Sequence, residues 1–196
     1  VKSYNNHVGV PLSLSRMPSS TRFGVFEMGM NHAGELAQLT QLVRPHVAVV
    51  TWIASAHRAF FASDEAIADA KGEIFAGLMP GGTAIIPFDS PHRDRLIGHA
   101  RPHAAEIVTF GEGAGADVRA LHVALGADGS DVVVDLGGDQ QPVMHVAAAG
   151  RHWVNNSLAV IAAVRAAGGD VGQAALALAE LAGLAGRGRR AELVVD

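Results

Sequence analysis

A chain of 196 residues with 49% apolar and 17% charged side chains is long enough to bury a core and too apolar to remain disordered. Its 15 basic and 19 acidic side chains leave a net charge of −4, and the arginines are scattered, which excludes the basic footprint of a nucleic-acid or membrane-surface binder. Cysteine is absent, so disulfides, thiolate metal sites and cysteine nucleophiles are excluded. The ten histidines form no HExxH-type pair. No apolar run approaches the ~20 residues of a membrane span, and residues 1–20 lack the charged-then-apolar order of a signal peptide. A cytoplasmic monomer is the expectation.

In chain order, 23–28 (FGVFEM) is a short apolar run and predicts a buried strand. Residues 35–43 place Leu36, Leu39, Leu42 and Val43 at helical spacing, and Arg44-Pro45 ends that helix because proline disfavours helix before itself. Residues 46–53 (HVAVVTWI) form a continuous apolar run, the pattern of a strand covered on both faces. Ser63-Asp64 is an N-cap signal, and Ile67, Ala70, Ile74 and Leu78 form an apolar stripe down to Pro80-Gly81-Gly82. A strand follows at 83–88, a helix at 93–100 and a strand at 106–110.

This alternation predicts an α/β fold with a mainly parallel sheet flanked by helices. From about 116 to 147 the pattern changes to short alternating segments (118–123, 131–136, 142–146) split by turns at 127–129 and 137–139, a small antiparallel section inserted in or appended to the body. Two Ala/Leu-rich helices, 156–167 and 171–181, flank Gly168-Gly169-Asp170. A Gly/Arg hinge at 183–190 precedes a strand beginning at 191–195.

Three side chains stand out as candidates for chemistry. Glu27 ends an apolar run, where an open parallel sheet places its ligand crevice, and a carboxylate there costs free energy unless a cation meets it. His57 follows the next apolar run in a loop, and Lys71, one of only two lysines, lies beside the stripe of its helix. By position alone a strand-end glutamate is as readily a solvated carboxylate, a loop histidine a capping residue, and Lys71 a lysine snorkelling from its helix.

Local wording and its order add to this. NNHVGVPLSL at 5–14 is similar to an NNxxGxPxxL segment, FEMGMNHAGEL at 26–36 to an E-[ML]-G-x-N-x-x-G-E-[LI] stretch, and AHRAFFAS at 56–63 to an AHLExFxS loop. AKGEIF at 70–75 matches an AKxEIF helix, GRHWVNNSLA at 150–159 a GxHxxxNxLA helix start, and Gly186-Arg187 a Gly-Arg hinge. These six segments, in this order and across nearly the whole chain, resemble the central ATP-binding domain of the Mur ligases, in the form used by the branch that adds D-Ala-D-Ala.

The resemblance implies a P-loop-NTPase-like fold and an ATP-dependent peptide ligase of peptidoglycan precursor synthesis. Its substrates would be UDP-N-acetylmuramoyl-tripeptide and D-Ala-D-Ala, joined through an acyl phosphate. Charge on the transferring phosphoryl group calls for Mg²⁺. By the resemblance Glu27, His57 and Lys71 are metal ligands, His57 and Lys71 being catalytic and Lys71 carbamoylated. An ammonium cannot ligate a cation whereas a carbamate can, and carbamoylation needs a neutral amine. Asn156, Arg187 and His152 would contact ATP; Asn5, Asn6, Asn31 and His32 would face the muramoyl-peptide.

The chain also departs from the family pattern. The glycine-rich G-x-x-G-K-[ST] phosphate loop is absent, since Lys2 and Lys71 follow no glycine-rich turn. Arg58 and Ala59 replace leucine and glutamate of the AHLE loop, Pro87-Phe88-Asp89 stands where Asn-x-Asp is usual, and Trp153 occupies a common asparagine position. Residues 1–182 are therefore expected to be an N-terminally truncated central domain, inactive by itself, and 183–196 the hinge and first strand of a missing C-terminal domain. The alternatives are a non-catalytic nucleotide- or metal-binding remnant, or another member of the Mur and folylpolyglutamate ligase superfamily.

Overall fold

The structure is a computed structural model that describes residues 4–53, 60–138 and 141–180. The expected hinge and final strand, with Arg187, lie outside the described residues, as does His57. Six strands form one mixed sheet: β1 (Val47–Val49), β2 (Thr83–Pro87), β3 (Glu106–Gly111), β4 (Val118–Leu125), β5 (Ser130–Asp135) and β6 (Val143–Val146), each hydrogen-bonded to its neighbour in sequence. The pairs from β1 to β4 are parallel, and β4–β5 and β5–β6 are antiparallel.

Helices cover both faces. α1 (Gly9–Ser15), α2 (Glu35–Val43), α3 (Asp64–Gly72) and α4 (Arg93–Ala100) precede α5 (Arg151–Ala166) and α6 (Val171–Ala179). The period-2 alternation of β2 divides the core: Ala84 and Ile86 join the cluster under α2, α3 and α4, whereas Ile85 joins the cluster under α5 and α6. All five β2 residues are buried, as the continuous apolar reading requires of a central parallel strand. Phe75 and Leu96 anchor the first cluster and Phe110, Leu158 and Ile161 the second, each burial contributing about 2–3 kcal/mol.

Helix ends follow local chemistry. Ser63 accepts the Ala66 N–H and starts α3; Asp170 accepts the Gln173 N–H and starts α6. The expected 64–78 helix is α3 followed by a 3-10 turn at Glu73–Gly77, because Gly77 runs against the Thr40 backbone of α2 and the tighter turn permits that approach. α5 begins five residues before the expected start, at the left-handed Gly150.

Two expectations are corrected. Residues 23–28 belong to no strand among the described residues, and Phe23 and Val25 are 63% and 97% exposed. Only Phe26 and Met28 pack on the core, so one face of the run is covered and the ladder is missing. The 46–53 run contributes just three ladder residues to β1. The expected antiparallel section is present as β4–β6, joined to the parallel strands where β4 pairs with β3. A short 112–117 connection suffices because only Phe110–Gly111 pairs with Val118–Arg119. The Asp117 carboxylate clasps that corner, accepting the Thr109 N–H at 2.7 Å and its hydroxyl at 2.6 Å.

Candidate functional site

A partly open cavity of about 290 Å³ lies between the 27–30 segment, α2 and α3, and Asn5, Glu27 and Lys71 line it. Glu27 is exposed, and Asn5 donates from Nδ2 to its Oε1 at 3.1 Å. Lys71 is half-buried on the last turn of α3, and burial lowers its pKa below the ordinary value of 10.5. Among the described residues nothing donates to or accepts from its ammonium.

The loop leading into α2 carries Asn31 and His32, both exposed. Glu35 folds back on it, accepting the Asn31 N–H at 2.7 Å and the His32 N–H at 3.3 Å while approaching the His32 ring at 3.2 Å. The Asn31 bond first, then the His32 ring, lowers the Glu35 pKa. The His32 ring meets Phe60 edge-on, with centroids 6.1 Å apart. Asn6 is occupied differently: its Oδ1 accepts the Val8 and Gly9 N–H groups and starts α1, a helix that the sequence reading missed although Asn6 and a proline in the first turn mark it.

His152 and Asn156 stand elsewhere, one turn apart on the exposed side of α5. β6 runs parallel to β3 through two antiparallel pairings, so α5, entered from β6, starts at the edge where the parallel strands end. Arg151 forms an ion pair with Glu112, just past β3, and Asp89, just past β2, accepts the Glu112 and Gly113 N–H groups at 2.7 and 3.0 Å. The altered 87–89 segment thus still has a carboxylate fastening the β2 and β3 exits.

Sequence reasoning assigned no role to Glu73, yet its carboxylate accepts the Gly34 N–H at 2.7 Å and the Ala37 N–H at 3.3 Å, capping α2 from across the cavity wall. The left-handed Gly34 at that N-cap has no side chain to do so.

A cation of the Mg²⁺ type is commonly held by one or two carboxylates and keeps several waters. Among the described residues no three His, Cys, Asp or Glu groups could hold a metal. Among the described residues Glu27 alone offers a carboxylate to this cavity, which fits a hard, largely hydrated cation rather than a caged one.

Sheet, helices and crevice define an α/β domain with polar groups gathered where the parallel strands end. Residues 1–164 match the Mur ligase middle domain family, and the chain belongs to it. The UDP-N-acetylmuramoyl-tripeptide–D-alanyl-D-alanine ligase of Rickettsia prowazekii is 29% identical over 95% of this chain and 42% of its own length. That of Bacillus subtilis is 34% identical over 82% and 33%. The crystal structure of MurF from Acinetobacter baumannii superposes with a TM-score of 0.88 at 29% identity, over 95% of this chain and 40% of that one. MurF ligase of Thermotoga maritima, solved in complex with ADP, shares the fold at 23% identity and a TM-score of 0.76, over 92% and 40%. The chain therefore spans about two fifths of the relatives it matches. No helix among the described residues is long and apolar enough to cross a membrane.

Proposed function

We propose that this chain is the central part of an ATP-dependent ligase that joins D-Ala-D-Ala to UDP-N-acetylmuramoyl-tripeptide. The observation that carries the reading is the shared cavity of Glu27 and Lys71 in a chain of this family. The names of its relatives and the ADP held by the Thermotoga protein support the substrates and the nucleotide.

Mg²⁺ and ATP, when bound, supply the phosphoryl group that activates the substrate carboxylate and the charge that offsets its transfer. Glu27 supplies a hard oxygen ligand, joined by His57 of the 54–59 segment. Lys71, desolvated on α3, holds a larger neutral fraction than a surface lysine. Its amine adds to CO₂, a proton leaves to solvent, and the resulting carbamate is a second anionic donor. His152 and Asn156 face the nucleotide from α5, and Arg187 joins them from the hinge. Asn31 and His32, held by Glu35, face the muramoyl-peptide.

The test joins this chain to the flanking segments of the Bacillus relative and follows phosphate release. The expected result is release that needs ATP, the tripeptide nucleotide and D-Ala-D-Ala together, and that Glu27→Gln and Lys71→Ala abolish. Release independent of D-Ala-D-Ala would overturn the substrate assignment. Silence of the chimera would favour a non-catalytic remnant, the reading to which Arg58 and Ala59 point.

A further inference from the structure

The sheet has a slot in it. β3 and β5 lie on either side of β4, so where β4 is missing they stand two strand spacings, about 10 Å, apart. β4 pairs with β3 only from Phe110 onward, and with β5 only as far as Asp135. Beyond those limits the start of β3 and the residues just past β5 line a second cavity, of about 340 Å³, which shares no residue with the cavity of Glu27 and Lys71. Successive residues of a strand direct their peptide groups to alternate sides. The Glu106 N–H reaches the Gly82 carbonyl and the Phe110 carbonyl accepts the Phe88 N–H, both toward β2. Thr109 faces the other way, its N–H donating to the Asp117 carboxylate at 2.7 Å. Ile107 shares the side of Thr109, so its N–H and C=O are directed into the slot, where among the described residues no strand pairs with it. A strand edge of this kind is a template for another extended chain.

The far wall is already fastened: Arg165, at the end of α5, donates to the Leu136 carbonyl at 2.6 Å, and Asp135 accepts the Gly137 N–H at 2.9 Å. The lining carries three carboxylates, Glu106, Asp117 and Asp135, against the one guanidinium of Arg165, which favours a cationic occupant. Pairing with Ile107 requires a donor and an acceptor at strand spacing, which a peptide group offers and a simple amine does not. We infer that this slot binds a short, positively charged peptide in extended form, added to the free edge of β3 through the Ile107 peptide group.

The experiment titrates the 196-residue chain with a short acetylated, amidated peptide of alternating valine and lysine and follows amide shifts and hydrogen exchange. The comparison ligands are its glutamate counterpart, the same peptide N-methylated along its backbone, and 1,4-diaminobutane. The expected result is that Ile107, Val108, Leu136 and Gly137 shift together and that exchange at Ile107 slows. The glutamate peptide should bind more than about tenfold more weakly. The N-methylated one should lose about tenfold, as the loss of an inter-strand hydrogen bond does. Glu106→Gln, which removes one exposed charge and keeps the side chain's shape, should weaken the lysine peptide about two- to fivefold. Unchanged amides at these four positions with the lysine peptide would overturn the inference. Equal binding of the N-methylated peptide or of diaminobutane would overturn it as well, since either would show that charge alone is read and the β3 edge is not.

Discussion

Glu73 Oε1 accepts the Gly34 amide at 2.7 Å, so the turn that follows Lys71 caps the helix that follows Asn31 and His32. One carboxylate thereby fixes the distance between the two walls of the cavity. The Thr40 hydroxyl strengthens the seam by donating to the Ile74 carbonyl at 2.7 Å.

Removing that cap should act as the loss of an N-cap does. Glu73→Ala is expected to cost about 1–2 kcal/mol in urea unfolding and to speed hydrogen exchange at Gly34 and Ala37. Glu73→Gln keeps one acceptor oxygen and should recover part of the loss.

The same seam tolerates no added volume. A Cβ on Gly77 would run into the Thr40 carbonyl of α2, and backbone cannot move aside as a flexible side chain does. Gly77→Ala is expected to destabilise by about 2 kcal/mol or more. Gly98→Ala, inside α4 with nothing within reach, serves as the unstrained comparison in the same thermal melts and is expected to stabilise by about 0.5–1 kcal/mol.

Lys71 gives a pH dependence with a definite sign. Its folded pKa lies below the ordinary 10.5, so between the two values the unfolded chain binds more protons and stability rises with pH. Below that window the buried ammonium carries a constant penalty. Lys71→Met should therefore be more stable than the parent near neutral pH, and the difference should shrink as pH rises toward the unfolded value. Paired urea titrations at neutral and alkaline pH measure it.

Asp69 has the opposite dependence. Burial opposes its ionisation, but His99 at 3.0 Å and the Arg95 fork at 2.9 and 3.0 Å outweigh that and lower its pKa from 3.8. The contribution is complete above the unfolded value and disappears as pH falls through the lower folded one. Asp69→Asn should be less stable than the parent at neutral pH and approach it in acid, in the same unfolding measurement. The fork ties α3 to α4 at an exposed surface, so the effect should also weaken in high salt.

Periodic apolar patterning made much of this architecture legible. α2 and α4 fall within the expected bounds, and in α2 Leu36 and Leu39 repeat at helical spacing before Pro45 ends the helix. β2 and the β4–β6 meander were equally readable from β-branched runs and glycine turns. The 23–28 run misled because composition shows that a segment can be buried, not whether a neighbouring strand pairs with it; Val25 has the right side chain and almost no contact.

At the site, the gathering of Glu27 and Lys71 on one cavity was legible only through motif wording, since 44 positions separate them and no local rule joins them. What stayed hidden was the scaffolding. Glu73 capping Gly34, Asn5 holding Glu27 and Asp89 fastening the β3 exit are all long-range bonds of ordinary polar residues, and propensity carries no signal for them.

The cavity of Glu27 and Lys71 as a cation site is tested most directly by paramagnetic broadening of backbone amides under substoichiometric Mn²⁺. The expected result is that Met28, Met30, Leu36 and Lys71, which wall the cavity, attenuate first and together. Attenuation centred on the surface pairs Asp131–His145 or Asp69–His99, with the cavity amides unchanged, would contradict the account.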